Sequence, residues 1–563
     1  MKIKRILLNK WYSWLEAMIF RLARPDALLH LSFFGLITGF LAGGVIVLFR
    51  LLVEHTQDYF LPGTGSENYE QMSPLYHFLF PVIASVLLAI LFYKWSKGLR
   101  VLGVARIMER VAYHQGYLTL RGFILQFVGA AIAIVGGHSV GREGPHAHLG
   151  ASISSLFGQL LKLPNNSIRT LVASGAAAGI AASFNTPLAG VIFALEVIMM
   201  EYALNSFIPV MLAAVVATAL SNAVLGGAPA FIMPELSVIP LSQLPIVLLL
   251  GVIVGACAAL FNHLLMLISS KTQSFDIWWR ILAAGIIVGL LAMITPEVLG
   301  IGYDTVNAGL AGKLAITSLL VLAFMKILAT SVSVGLGVPG GMIGPAFFIG
   351  TSLGGAVGII SMHLLGDANS EVSYVSSYAL LGMGAMMGAS LQAPLAALIA
   401  IVELSYSPGI ILSGMLVIVV AQLTASEVFN KKSLFVTILR SNGLDYSLNP
   451  VVQVLRAVGV ASVLDKSFER HASVISREQA EKLIHTRSNW LIVNNEAGEI
   501  VHLMPVSELA KYLSMERDEK MDEVSEEVNL MEIPAKRHSL SAISLQANLM
   551  QAHEKFSNGA ESL

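Results

Sequence analysis

The sequence is poor in charge for its length. Only 13% of its 563 residues are Asp, Glu, Lys or Arg, whereas 55% are hydrophobic, and the mean hydropathy is +0.72. Too few polar residues remain to cover a soluble protein of this size, so the composition excludes one and indicates a polytopic membrane protein. The net charge is −1. Because no basic surface is visible, we expect no nucleic-acid partner.

Cysteine is almost absent, and so are the common signatures of enzymes. The single Cys257 excludes an intramolecular disulfide framework and lies in an apolar run, where a small packing residue is expected. No Walker loop, nucleophilic triad or zinc-ligand spacing is visible. We therefore expect no enzyme activity, no catalytic residue, no bound metal and no resident cofactor.

The N-terminus has no apparent cleavable signal peptide. It is basic and amphipathic and lacks a compact apolar stretch with a cleavage site. Residues 1–28 are predicted to form an interfacial helix on the cytoplasmic face. Apolar spans follow at about 31–53 and 75–93, with basic residues before the first and after the second. Both basic segments are therefore placed on the cytoplasmic side of an inner membrane, and the C-terminus is expected to be cytoplasmic as well.

Two long stretches break the apolar pattern with Gly and Pro, at about 122–205 and 315–410. Many of their apolar pieces are too short to cross a bilayer of roughly 30 Å as helices. Non-helical backbone at membrane depth survives only when it is buried in protein or lines an aqueous cavity. Broken and re-entrant helices of this kind point to a binding site.

The two broken stretches resemble each other at fixed offsets. Five positions recur after 200 residues, and nine recur after 207 residues, including a Pro and a Glu. The first set pairs Gly137, Gly141, Gly144, Pro145 and Gly150 with Gly337, Gly341, Gly344, Pro345 and Gly350. The second set runs from Gly175, Pro187 and Glu196 to Gly382, Pro394 and Glu403. These registers predict a duplicated membrane unit with its site at the repeat interface.

Arg142 and Glu143 are nearly the only charges within the first repeat's apolar region. An ionisable residue at membrane depth is costly and usually marks a substrate path. A helix that begins near Pro145 would aim its free N–H groups at the neighbourhood of Glu143, which predicts an anion site beside a carboxylate. The alternative is a structural ion pair between Glu143 and Arg142.

Residues Gly141–Pro145 resemble the second signature of the CLC chloride channels and chloride/proton exchangers. Residues 175–196 resemble the next block of that family, and Gly337–Pro345 resemble its third anion-binding signature. The resemblance covers about residues 30–440, and we predict that the membrane domain comprises residues 29–440. It implies an all-α membrane fold with an inverted repeat, a homodimer, and chloride or a similar small anion as the transported ligand.

The resemblance also implies roles for single residues. Glu143 is expected to be the gate that swings away on protonation, and Arg142 and Gly144 flank it. The main-chain amides of Met342 and Ile343 are expected to face the anion. Two departures fall at Leu102, beside Gly103, and at Phe435, where the family carries a serine and a tyrosine; this loss of hydroxyl donors is expected to weaken anion binding.

The resemblance leaves the mode of transport open. The internal proton-carrying glutamate of many exchangers is replaced by Val197, which favours a passive channel. Glu196 is a candidate for the proton path, although its repeat partner Glu403 favours a helix-capping role. The alternatives are a chloride/proton antiporter and a fluoride-selective or other inverted-repeat anion transporter.

Residues 441–563 are polar and are predicted to form a small α/β cytosolic tail. Residues 490–504 are typical of strand, turn and strand, and a helix is predicted from Pro505 to Leu513. The segment 459–515 resembles half of a CBS module, and a second half is expected to begin near Val528. An adenine nucleotide is the ligand that this resemblance implies. In the membrane domain, His146 and His148 are interpreted as polar helix-start residues rather than a metal pair.

Overall fold

The computed structural model describes residues 20–24, 27–63, 67–96, 102–227, 229–365, 372–444, 450–495, 498–518, 526–535, 538 and 540–557. Most of the predicted N-terminal amphipathic helix, residues 1–19 and 25–26, lies outside these ranges, as does Val101 of the segment around Leu102. The chain divides into two compact units. One comprises Leu28–Lys162 with Ser167–Ser447, and the other comprises Met1–Ala27, Leu163–Asn166 and Leu448–Leu563.

The first unit is helical, as the composition predicts. Its first half contains α1 Leu28–Phe60, α2 Pro74–Trp95, α3 Val104–Tyr113, α4 Leu120–Val135, α5 Glu143–Leu160, α6 Asn165–Phe184, α7 Pro187–Phe193 and α8 Leu204–Leu225. Its second half contains α9 Leu244–Thr272, α10 Ile277–Ile294, α11 Tyr303–Leu310, α12 Ile316–Gly335, α13 Ile343–Leu365, α14 Val372–Leu391, α15 Pro394–Ser405, α16 Ile411–Leu423 and α17 Leu434–Ser441. Short π-helical segments, Ala194–Met199 and Thr424–Val428, follow α7 and α16.

Among the described residues, nine helices are long and apolar enough to cross a membrane. They include Asn165–Phe184, Ile316–Gly335 and Ile343–His363, which lie within the two broken stretches. The expectation that many apolar pieces there are too short to cross a bilayer is therefore wrong for these three helices. In Asn165–Phe184, small Gly, Ala and Ser residues extend the helix without raising hydropathy. Asn165–Phe184 and Ile343–His363 are buried inside the protein, at 100% and 89% of their apolar windows, rather than facing lipid.

The repeat predicted from the sequence is present in the packing. A Cβ atom on Gly150 would lie 2.1 Å from the carbonyl oxygen of Gly175, and one on Gly350 would lie 2.3 Å from that of Gly382. The first pair joins α5 to α6 and the second joins α13 to α14, each at a distance that only glycine permits. Because equivalent residues make equivalent contacts, the two repeats share one helix-packing arrangement.

The second unit contains the α/β tail. Its elements are α18 Pro450–Ala457, β1 Phe468–Ala472, β2 Val474–Ser476, α19 Arg477–Ile484, β3 Trp490–Asn494, β4 Ile500–Pro505, α20 Val506–Asp518, β5 Glu527–Asn529 and α21 Leu549–Ser557. The predicted strand, turn, strand and helix are thus present as β3, β4 and α20. Strand β3 pairs in parallel with β1 and antiparallel with β4.

The segment near Val528 has a different role from the one predicted. Strand β5 pairs antiparallel with β2, and Val528 packs in the same apolar core as Leu491, Met504 and Leu509. It therefore completes this module, because its apolar side chain fills the core instead of starting a second one. The predicted boundaries of the partial CBS-like segment, 459–515, remain predictions.

Candidate functional site

Two equivalent glycines hold the repeats together where the two signature segments meet. The N–H of Gly141 donates to the carbonyl of Gly341 at 2.8 Å, and the N–H of Gly341 donates back at 2.6 Å. The two segments run antiparallel, so equivalent parts of the repeats point in opposite directions. This contact places the N-termini of α5 and α13 side by side.

Glu143 is the first residue of α5, and its side chain is fully buried. One carboxylate oxygen accepts a hydrogen bond from the hydroxyl of Tyr303, and the other accepts the N–H of Gly344 at 3.1 Å. Gly344 lies in the first turn of α13, where free N–H groups and the helix dipole favour negative charge. The Glu143 carboxylate thus occupies a site suited to an anion.

The ion pair of Arg142 is made elsewhere. Its Nη1 atom lies 3.4 Å from Oε1 of Glu54, and its guanidinium carbon lies 5.0 Å from the centre of the Tyr303 ring. Glu54 also pairs with Arg50 at 3.1 Å. The alternative reading of Glu143, a structural ion pair with Arg142, is not supported by these contacts, because Arg142 pairs with Glu54, which it shares with Arg50, and stacks on an aromatic face.

A cavity of about 90 Å³ collects most of the residues that the sequence predicts for anion binding. We call it the Phe435 cavity. Five predicted residues line it, namely Leu102, Gly103, Gly144, Met342 and Phe435. Ile343 is buried at the start of α13. The ring of Phe193 meets Phe435 edge-on at 6.3 Å. Elsewhere in the lining, Ser269 carries a hydroxyl, and Gln273 and Asn442 carry amides.

A second cavity, of about 300 Å³, lies against Arg142. We call it the Arg142 cavity, and its lining includes Arg50, Glu54, Tyr303 and Asp304. Gly144 lines the Phe435 cavity, whereas Tyr303, which is bonded to Glu143, lines the Arg142 cavity. Glu143 therefore lies between a residue that lines one cavity and a residue that lines the other.

Sequence reasoning missed several contributors. Gln126 accepts the N–H of Gly103, a predicted anion-site residue, at 2.8 Å. Arg280 lines the Phe435 cavity and donates to the carbonyl of Gly335 at 2.9 Å. Tyr303 contacts Glu143 itself. All three lie outside the signature segments, so no local motif signalled them.

Glu196 is held away from both cavities by main-chain contacts. Its carboxylate accepts the N–H groups of Leu395 at 3.2 Å and Ala396 at 2.7 Å, in the first turn of α15. This is the capping geometry that its repeat partner indicated. Its role in a proton path remains a prediction. The adjacent Val197 is buried and provides no carboxylate.

His146 and His148 are both buried in α5, within the first two turns after Glu143. The His146 ring meets Phe49 edge-on at 5.3 Å. Within the described part of the chain, no hydrogen-bond partner reaches the ring nitrogens of either histidine, and no group of three or more His, Cys, Asp or Glu residues is arranged to hold a metal ion.

Acidic side chains in the loop between α1 and α2 approach the Arg142 cavity. Glu67 accepts the N–H of Tyr303 at 3.0 Å and lines the cavity. Burial, followed by the nearby Asp304 carboxylate, raises the pKa of Glu67 to about 7. Burial and Asp304 likewise raise the pKa of Glu70 to about 8. The loop therefore titrates near neutral pH, close to the residue that contacts Glu143.

Comparison with known proteins places these features in a family. A family model described as "Voltage gated chloride channel" matches residues 82–426. The H(+)/Cl(-) exchange transporter ClcA of Citrobacter koseri is 32% identical over 324 residues, which cover 56% of this chain and 68% of the relative.

Solved structures show the same fold. A slow cyanobacterial Cl⁻/H⁺ antiporter matches with a TM-score of 0.65 and 22% identity, over 73% of this chain and 97% of the other. A CLC-type fluoride/proton antiporter matches with a TM-score of 0.60 and 24% identity, over 73% and 98%. The predicted fold class, an all-α membrane protein with an inverted repeat and a small α/β tail, is confirmed.

Proposed function

The chain belongs to the voltage gated chloride channel family, the CLC family, and on that premise we propose that it exchanges chloride for protons across the membrane, with Glu143 as the gate. The position of the Glu143 carboxylate carries this proposal. It occupies an anion site at the start of α13, between the Phe435 and Arg142 cavities. An anion can enter this site only when the carboxylate leaves, and protonation weakens the hold of the helix dipole on it.

The Arg142 cavity is proposed to face the outside. It is lined by Glu67, which lies in the loop after the first span, and the basic flanks place that loop opposite the cytoplasm. Chloride would then enter from the cytoplasm through the Phe435 cavity. Both termini are proposed to be cytoplasmic in an inner-membrane homodimer.

We favour proton-coupled exchange over passive conduction because of the names of the similar relatives. Relatives named H(+)/Cl(-) exchange transporter ClcA recur in Citrobacter koseri and in Salmonella strains at 31–32% identity. A relative of 32% identity over 332 residues is named a putative chloride channel protein, and Val197 also favours a channel. A passive chloride channel is the second candidate, and Val197 is the observation that favours it. In the exchange mode, Glu143 carries the proton, and water has to complete its route past Val197.

Liposome recordings test the function and decide the mode. The purified full-length protein is reconstituted with a fixed chloride gradient, and the zero-current potential is measured while the pH gradient is varied. Exchange predicts a potential that shifts with the pH gradient, and Glu143→Gln should abolish that shift. A potential that stays at the chloride equilibrium value whatever the pH gradient identifies a passive channel.

Controls separate the gate from general damage. Glu427 is exposed and accepts a hydrogen bond from the hydroxyl of its neighbour Ser426, so Glu427→Gln should behave as the wild type. Fluoride is measured in parallel, because the missing hydroxyls at Leu102 and Phe435 weaken the case for chloride selectivity. Absence of chloride flux above that of protein-free liposomes contradicts the proposed function.

A further inference from the structure

We propose that the Tyr303 hydroxyl is a ligand of the anion site at the start of α13, shared between the Glu143 carboxylate and the small monovalent anion that replaces it. The inference rests on the proposed function of Glu143 as a gate. It adds to the site a side-chain donor that none of the signature segments contains. Tyr303 is separated from Glu143 by 160 residues and begins helix α11.

Four contacts fix the Tyr303 ring. Its main-chain N–H is bonded to Glu67 at 3.0 Å. Its ring meets that of Phe231 at 4.8 Å between centres, and the Arg142 guanidinium lies 5.0 Å from the ring centre. The hydroxyl is directed at the Glu143 carboxylate. A donor held by its own backbone and two ring contacts keeps its position when its acceptor departs.

Departure of the carboxylate leaves two donors without a partner. The Tyr303 O–H and the Gly344 N–H bind the two oxygens of the same carboxylate, so both lose their acceptor in one step. Tyr303 is only 8% exposed, and an unmade hydrogen bond at a buried donor is costly. An entering anion satisfies both donors at once, and the nearby Arg142 adds positive charge.

The ligand class follows from these donors. The site provides one hydroxyl, one main-chain amide and the N-terminal dipole of α13, all within the space that a carboxylate group fills. A halide-sized anion fits this description. The two hydroxyls missing at Leu102 and Phe435 belong to the Phe435 cavity, so Tyr303 does not replace them but supplies a hydroxyl at the neighbouring position.

Chloride binding in a gate-free background tests the proposal. Chloride is titrated calorimetrically into purified full-length Glu143→Ala protein and into the Glu143→Ala/Tyr303→Phe double variant. Phenylalanine keeps the ring contacts and removes only the hydroxyl. Because a hydrogen bond to a charged group is strong, the double variant should bind chloride roughly ten-fold more weakly.

A second tyrosine provides the matched control. Tyr378 is also buried, and its hydroxyl bonds to Gln243 at 3.2 Å, away from Glu143. Adding Tyr378→Phe to the Glu143→Ala background should leave chloride affinity unchanged. Equal chloride affinity with and without the Tyr303 hydroxyl overturns the proposal. An equal loss of chloride affinity in the Tyr303→Phe and Tyr378→Phe variants also overturns it, because the loss would then come from a general destabilisation of the protein.

Flux with the gate intact gives a separate readout. At saturating chloride, Tyr303→Phe should raise the turnover several-fold at neutral pH, because the closed carboxylate loses one of its two donors. An unchanged turnover, together with unchanged affinity, would leave Glu143 as the gate and remove Tyr303 from the site. If wild-type liposomes show no chloride flux, the proposed function itself fails.

Discussion

Glu196 and Glu403 cap each other's repeat with matching hydrogen bonds. Glu196 Oε2 accepts the N–H of Ala396 at 2.7 Å, and Glu403 Oε2 accepts the N–H of Ala189 at 2.7 Å. The helices that begin at Pro187 and Pro394 have no side-chain cap from their own N-cap residues. Each repeat therefore satisfies free N–H groups of the other, which ties the two halves together by charge-assisted hydrogen bonds.

Removing either carboxylate charge should destabilise the fold by a similar amount. Glu196→Gln and Glu403→Gln are each expected to lower the free energy of unfolding by about 1 kcal/mol, because an amide caps a helix less well than a carboxylate. Unfolding in detergent measures this, with the exposed Glu427→Gln as control. Loss of proton coupling in Glu196→Gln without any loss of stability would instead assign Glu196 to the proton path.

The contact between the repeats should not tolerate a side chain. A Cβ atom on Gly341 would lie 2.7 Å from the amide nitrogen of Gly144 and 2.9 Å from the carbonyl oxygen of Gly141. Both are main-chain atoms, so Gly341→Ala is expected to cost roughly 2 kcal/mol or more of stability and to separate the α5 and α13 N-termini. The temperature of thermal unfolding and the rate of chloride flux should both decrease in this variant.

Gly44 offers a matched comparison for that substitution. It lies in helix α1, and no atom stands within 4 Å of a Cβ placed there. Gly44→Ala should therefore be neutral or stabilise the protein by up to about 1 kcal/mol, since alanine favours the helix. Equal effects at Gly44 and Gly341 would contradict the close approach described for the repeats.

Glu67 should make stability depend on pH near neutrality. Burial raises its pKa from an ordinary 4.5 to about 7, so the folded protein favours the protonated acid. The resulting stability is fully present below pH 4.5 and is lost as the pH rises through 7. Glu67→Gln mimics the protonated form and keeps an oxygen for the Tyr303 N–H. When the pH rises from about 5 to about 8, the free energy of unfolding of this variant should increase relative to that of the wild type by on the order of 1–3 kcal/mol.

Unfolding midpoints in detergent at the two pH values check this expectation. The exposed Glu235→Gln serves as the control, and its difference from the wild type should be the same at both pH values. If the difference in unfolding midpoint between Glu67→Gln and the wild type does not grow with pH, Glu67 is ionised at both pH values.

Restoring the hydroxyls of the Phe435 cavity should strengthen anion binding. Leu102 and Phe435 both line this cavity, so Leu102→Ser and Phe435→Tyr each add a donor to it. Each is expected to raise chloride affinity several-fold, since a net hydrogen bond contributes about 1 kcal/mol. Calorimetric titration measures the gain, and Phe193→Tyr, whose ring lies behind Phe435, is the comparison. Unchanged affinity in both variants would place the transported anion outside this cavity.

Much of the fold was predictable because it depends on local properties. Apolar runs, Gly and Pro breaks and the two fixed offsets predicted the membrane class, the broken helices and the duplicated unit. The helix around Glu143 was predicted for the same reason. The lengths of α6, α12 and α13 were not, because the Gly and Pro breaks around them were interpreted as interruptions, although each helix is long and apolar enough to span a membrane.

The sequence by itself determined that Glu143 lies in an apolar region at a helix start and that its segment has a counterpart 200 residues later. Only the tertiary structure decided what the carboxylate binds. Its partners, Tyr303 and Gly344, are 160 and 201 residues away. Such contacts depend on how both repeats pack, and no local pattern specifies which distant donor meets a buried carboxylate. The same holds for Arg142, which the structure pairs with Glu54 instead of its sequence neighbour.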